Sequence, residues 1–268
     1  MTATLPLVWE HALESSMLVH NATYIQASTM QLNTCYFVLW CEPEQKEEMA
    51  VTIGSQRQAQ LRERGLKGVV YCRSKTLCED MAAALGCAFY HAGVKDKEKA
   101  EKLERWEQEG GLMVATSALG TSVDYLGIVY ILHVGMLWSM IDYAQESGRG
   151  GRAGEAVDSV ILVGHSKVEQ TLAVQPDNIN VLAIGLFIVG SGCWRLLMSW
   201  YMDRIGVSCS DLEGAAGCDR CGDGVRPWLD EQQRHGREWG QVEQLFNELR
   251  AGCVACCMID EAGSEAWR

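Results

Sequence analysis

Between residues 68 and 163 short apolar runs alternate with helical patterns, and this alternation limits the possible folds more than any other property of the chain. Gly68-Val-Val-Tyr-Cys72 has strand length and is followed by Arg73 and Ser74, the latter suited to a helix N-cap. Leu77, Met81 and Leu85 then recur every four residues, and Gly86 closes that helix. Cys87 to Tyr90 reads as the next strand, and Lys95 to Glu109 as a charged helix with Glu98–Lys102 and Glu101–Arg105 pairs and a thin apolar face of Leu103 and Trp106. Gly110-Gly111 ends it. Leu112–Ala115, Ile128–His133 and Asp158–Val163 are further strands, with a helix predicted over Ser139–Ser147. Strands joined through helices form a parallel sheet covered on both faces. Ligands of such sheets gather at the carboxyl ends of the strands, where Arg73, His91, Thr116 and Asp124 fall.

The flanks are less regular. Thr34 to Trp40 has strand character, and Glu44 to Arg64 reads as a polar helix. Val181 to Gly190 is the most apolar run but is too short to span a bilayer, so a buried helix or strand is expected. Net charge is −12, which argues against a generally basic nucleic-acid coat. The distribution is uneven: residues 64–152 carry 11 basic and 11 acidic side chains, so the acidity lies in the flanks. Twelve cysteines without a secretory signal favour a reducing compartment with some metal ligation over a disulfide framework.

Gln145-Glu-Ser-Gly-Arg-Gly-Gly-Arg152 places a glutamine and two arginines around a glycine-rich turn. Glycine allows a sharp turn and close approach to a ligand. Arginine brings a permanent charge and a planar fork of donors that matches phosphate oxygens. Held rigidly near a nucleotide, such an arginine stabilises charge developing on a departing phosphoryl group. The competing reading is a capped helix end with solvated arginines.

Four blocks occur in order: GVVYCRSK at 68–75, YHAG at 90–93, ATSALGTSVD at 115–124 and QESGRGGR at 145–152. Together they resemble the second RecA-like lobe of a superfamily 2 helicase, specifically a RecQ-like DNA helicase of the fungal and telomere-linked type. Thr2-Ala-Thr-Leu-Pro6 resembles the motif that ends the first lobe, and Ala27-Ser-Thr, Asn33 and Tyr36 resemble the bridge into the second. The resemblance assigns Arg149 and Arg152 to the γ-phosphate side of ATP, one as arginine finger, with Gln145 orienting them or bridging to the nucleotide. Gly120 and Asp124 would complete the ATP side, Asp124 accepting from the ribose or holding an arginine. Arg73, Ser74, Lys75, His91, Thr116 and Ser117 would meet DNA phosphates. Ser122-Val123 departs from the family's Gly-Ile before that aspartate.

Cys193, Cys209 and the Cys218-Asp-Arg-Cys221 knuckle resemble the zinc-binding module that follows the RecQ helicase core. Zinc takes four tetrahedral ligands, and a C-x-x-C turn supplies two. Arg195 would buttress that module or pair with an acid. Cys253, Cys256 and Cys257 lack an evident fourth partner, and Cys35, Cys41, Cys72, Cys78 and Cys87 read as small apolar residues.

The expected fold is therefore α/β: a RecA-like parallel sheet flanked by helices, then a small helical zinc module. The expected organisation is a first-lobe remnant and linker at 1–45, the lobe at 46–165, the zinc module at 166–225 and an acidic tail at 226–268. No G-x-x-x-x-G-K-[ST] phosphate loop and no Asp-Glu-x-His segment is present in the sequence. The resemblance then implies a 3′→5′ ATP-dependent DNA helicase represented by its second motor lobe, using ATP with Mg²⁺ shared with a first lobe, structural zinc and a DNA strand. Nuclear localisation follows from that function, and no membrane partner is expected. The alternative is a truncated relic or a nucleic-acid-binding module without catalysis.

Overall fold

The computed structural model describes residues 5, 6, 9–19, 28–121 and 125–221. Six strands form one sheet in the order β1 (Thr34–Cys41), β6 (Val157–Gly164), β5 (Ile128–Val134), β2 (Lys67–Cys72), β4 (Gly111–Ala115) and β3 (Ala88–Tyr90), all parallel. The sheet includes β1, which lies ahead of the boundary expected at residue 46. Its partner β6 is remote in sequence, so local patterning shows a strand there but not which sheet it joins.

Alternation within the strands divides the core between two faces. Val70 and Cys72 point with Leu112, Val114, Leu132 and Leu162 toward α2 (Lys46–Glu63) and α3 (Lys75–Leu85). Val69 and Tyr71 point with Met113, Ala115 and Ile131 to the opposite face, where Trp106 of α4 (Asp96–Glu109) packs. Further along that opposite face, Tyr36, Val38, Ile161 and Val163 pack with α5 (Met140–Ser147), α6 (Lys167–Val174), α7 (Ile179–Val189) and α8 (Trp194–Asp203). The apolar run at 181–190 is thus helical, α7, buried on most of its circumference. A Cβ on Gly185 would come within 2.7 Å of Leu172, so glycine sets the close approach of α6 and α7.

Local signals explain where the helices begin and end. Ser74 Oγ accepts from the Leu77 N–H at 3.1 Å, and Gly86 turns left-handed at φ +60° to end α3. Ser139 Oγ accepts from the Asp142 N–H at 3.0 Å and donates to its carboxylate at 2.8 Å, fixing the start of α5. Glu98 pairs with Lys102 at 2.7 Å, whereas Glu101 pairs backward with Lys97 at 4.0 Å. At the far edge β3 is only three residues long, with Lys102 Nζ 3.3 Å from the Phe89 ring centroid and Lys99 Nζ 5.7 Å from that of Tyr90. Cys41, Cys72 and Cys78 are buried thiols without disulfides. Burial pushes Cys41 and Cys78 up to about 11, consistent with unreactive apolar packing.

Trp106 is buried, and its Nε1–H donates to Gly111 O at 2.9 Å, joining α4 to the start of β4. Trp106→Ala is expected to destabilise the chain by about 3–5 kcal/mol, read as a lowered urea midpoint with little change in slope.

Candidate nucleotide and nucleic-acid sites and a cysteine centre

The carboxyl ends of β2, β4 and β5 open onto a shallow cleft. Arg73, Thr116 and Ser117 line it, as their positions at strand ends led one to expect. Tyr71, His133, Trp138, Asp142 and Glu146 line it as well, and sequence reasoning missed these. His133 was legible only as a strand residue and Trp138 only as part of a connection, because what brings them to the cleft is the order of the strands. His133 stacks on Tyr71 with centroids 5.2 Å apart and lies 3.1 Å from the Glu146 carboxylate. Burial pushes the Tyr71 hydroxyl up; Glu146 adds to this and Arg149 opposes it. The Arg73 guanidinium lies 3.5 Å from the ring centroid of Trp138.

Two other expected contacts sit differently. Ser74 is committed to capping α3, and exposed Lys75 begins that helix. His91 is buried: its Nδ1 accepts from the Gly93 N–H at 3.1 Å, and Nε2 lies 2.8 Å from Glu79. Since Nδ1 accepts, the ring proton is on Nε2 and points at the carboxylate. Both ring nitrogens thus have partners within the fold, one of them the half-exposed Glu79 carboxylate.

The arginine turn follows α5 directly. Gly148 ends the helix, and Gln145 lies exposed on its last turn with Arg149 half-buried and Arg152 exposed beyond. The turn is clamped from outside the motif. Gln31 Nε2 donates to Gly148 O at 3.0 Å, and Asn33 Nδ2 donates to Gly151 O at 2.8 Å and to Glu155 O at 2.7 Å. Gly151 has φ +66°, and a Cβ there would fall 2.2 Å from Asn33 Nδ2, so only glycine admits the clamp. Asp124 lies outside the described residues, as do 122–123; Gly120 falls in a short turn at Ser117–Thr121. Thr2–Thr4, Ala27, Cys253, Cys256 and Cys257 also lie outside the described residues.

The four cysteines expected to act together do meet. The sulfurs of Cys193, Cys209, Cys218 and Cys221 all lie within 4.8 Å of one another. Cys193 Sγ is 3.5 Å from Cys209 Sγ and 3.9 Å from Cys218 Sγ. Four thiolates around a tetrahedral zinc at ~2.3 Å would be spaced about 3.8 Å apart, so the cluster has the size of such a site. A hydrogen bond from Cys218, aided by the Leu196 and Cys209 backbone, holds the Cys193 thiol well below its usual range. The group can therefore hold a metal ion.

This centre is fastened to the outer edge of β1. Ala216 N–H donates to Leu32 O at 2.7 Å, Asp219 N–H donates to Tyr36 O at 3.2 Å, and the Asp219 carboxylate accepts from the Val38 N–H at 3.2 Å. Thr34 O, between them, accepts from Arg195 at 3.0 Å. Arg195 is fully buried and also donates to Gln31 O at 2.5 Å and Ala216 O at 3.2 Å. Trp194 Nε1–H adds a bond to Asp219. Alternate residues of the edge thus find partners in the cysteine loop and α8. Arg195 does buttress the module, through backbone carbonyls.

With this geometry in view, the comparisons define the class. Residues 49–154 match the helicase conserved C-terminal domain. This part of the chain is similar to the C-terminal lobe of RecQ-like superfamily 2 helicases. The chain is 28% identical over 201 residues to rat (Rattus norvegicus) ATP-dependent DNA helicase Q5, covering 65% of this chain and 20% of that protein. It is 28% identical over 173 residues to ATP-dependent DNA helicase Q1 of Pongo abelii, covering 60% of this chain and 26% of that one. It is 33% identical over 93 residues to ATP-dependent helicase SGS1 of Saccharomyces cerevisiae, covering 32% of this chain and 6% of the relative. The chain therefore spans about a quarter or less of the length of these relatives. In fold it is similar to S. cerevisiae Dbp5 bound to RNA and ADP BeF3, with a TM-score of 0.52 at 13% identity over 65% of this chain and 47% of that one. Among the described residues, no helix is long and apolar enough to cross a membrane.

Arg195→Ala is expected to leave Gln31 O, Thr34 O and Ala216 O without their donor and to cost about 3 kcal/mol or more in urea unfolding. Asp219→Ala is expected to speed hydrogen exchange of the Val38 amide while leaving β5 amides protected, a pattern that two-dimensional NMR would read directly.

Proposed function

We propose that this chain supplies the second motor lobe and zinc module of a RecQ-type, ATP-dependent 3′→5′ DNA helicase. The observation that carries this reading is the pairing of two sites on one lobe. Arg73, Thr116 and Ser117 surround a cleft at the strand ends, and an arginine turn at the end of α5 is fixed by Gln31 and Asn33.

In this reading Arg149 and Arg152 reach the γ-phosphate of an ATP whose phosphate loop and Mg²⁺ ligands belong to a first lobe, and Gln145 orients them. Gly120 and Asp124 complete the nucleotide side. Arg73, Lys75, Thr116 and Ser117, with the α3 N-terminus capped by Ser74, hold phosphates of a single strand, mostly without regard to sequence. His91 is left out because its ring is engaged within the fold. ATP closes the lobes and arginine-assisted hydrolysis reopens them, advancing the strand. Cys193, Cys209, Cys218 and Cys221 hold a structural zinc, a closed site without a coordination position for chemistry. Nuclear localisation follows from action on chromosomal DNA.

The purified chain is expected to turn over ATP at background rates with or without DNA. Joined to a first lobe carrying a phosphate loop and an Asp-Glu-x-His segment, it should show DNA-stimulated turnover that Arg149→Ala lowers on the order of 10³-fold. DNA-stimulated turnover by the chain alone, or full turnover after Arg149→Ala in the joined protein, would contradict the proposal. Elemental analysis is expected to find one zinc per chain, lost on Cys218→Ser together with part of the thermal stability.

A further inference from the structure

Trp138 breaks the pattern of its neighbours. Met136, Leu137 and Met140 are buried, whereas Trp138 keeps 55% of its surface exposed. Leaving an indole in water sacrifices the free energy its burial would supply, and among the described residues Trp138 belongs to no core cluster. Its position is specific nonetheless. It forms the rim of the cleft at the strand ends, 3.5 Å from the guanidinium of Arg73. That stack seats the guanidinium on one face of the indole and leaves the other face for a ligand.

Burial differs among the charged groups of the cleft. Arg73 and Ser117 are exposed and Thr116 is half-buried, whereas the Glu146 carboxylate is buried, with Asp142 half-buried on the same helix. Asp142 is held by Ser139 Oγ at 2.8 Å and Glu146 lies 3.1 Å from His133, so both acids are fixed in place. The buried Glu146 carboxylate disfavours a phosphate that enters deeply and leaves the exposed Arg73 cation as its seat. A rigid π-face beside a planar cation and two hydroxyls matches one unit of a single strand: the base lies on the ring and the phosphate on the cation.

We propose that Trp138 is a stacking platform for one nucleobase of a single strand whose neighbouring phosphate is bound by Arg73. This rests on the reading that the lobe holds single-stranded DNA, and it adds a base contact to contacts otherwise made with the backbone. Every base has a π-face, so the platform grips the strand without reading its sequence, but it distinguishes a strand with bases from one without them.

The test uses the full chain and two fluorescein-labelled strands of equal length, oligothymidylate and a strand of abasic sites, with anisotropy measured at one fixed salt concentration. Trp138→Ala is expected to weaken oligothymidylate binding about tenfold and abasic binding less than about twofold, with Trp138→Phe retaining most of the affinity. Arg73→Ala should weaken both strands alike. Unchanged oligothymidylate binding by Trp138→Ala, or equal loss on both strands, overturns the platform and leaves the DNA-holding reading intact. Wild-type chain that binds neither strand overturns both.

Discussion

A guanidinium with no access to water governs the way this molecule is joined. Arg195 projects from α8 and bonds three backbone carbonyls, two at the start of β1 and one in the cysteine loop. A buried cation is costly unless its donors are met, and carbonyls at an unpaired strand edge are costly unless they find donors. Nη1 and Nη2 of Arg195 meet these carbonyls here. With Ala216 and Asp219, the arginine closes the β1 edge, so the sheet and the cysteine centre share one core containing Tyr36, Tyr143, Phe187, Trp194, Cys193 and Cys218. The module is thus part of the sheet's hydrogen bonding rather than an appendage on a linker.

The other organising constraint is the parallel sheet itself. Parallel strands point their carboxyl ends one way, so Arg73, Thr116 and His133 arrive at one cleft from separate places in the sequence. The arginine turn obeys a second condition. It leaves α5 and must enter β6 at once, and the segment before β1 pins it there through Asn33. Arg149 therefore projects from a backbone held on both sides.

Much of this fold was legible in the sequence because the signals were local. Ser74, Gly86, Ser139 and the apolar runs of β2, β4, β5 and β6 each carry their meaning within a few residues, and the structure uses them that way. The four cysteines were legible through their resemblance to a RecQ zinc module, and they converge. What was not legible depends on partners distant in sequence. β1 reads as a strand, but its pairing with β6 places it in the lobe. His91 sits at a strand end, where phosphate contacts occur, yet Glu79 and Gly93 take both of its nitrogens. Gln31 carries no motif signal at all, and its role appears only when the turn it holds is folded beside it.

The two margins of the sheet are guarded by opposite means. On one side a long strand is covered along its length by a loop and a buried cation. On the other, β3 presents only three residues, with lysines of the next helix lying over its aromatic rings. A short edge whose aromatic rings are covered by lysine side chains offers a second chain too few bonds. The consequence is colloidal: while the cysteine loop stays seated, neither described margin is an open template for copies of the chain to add to, and resistance to strand-mediated aggregation depends on the loop that carries the four clustered thiols.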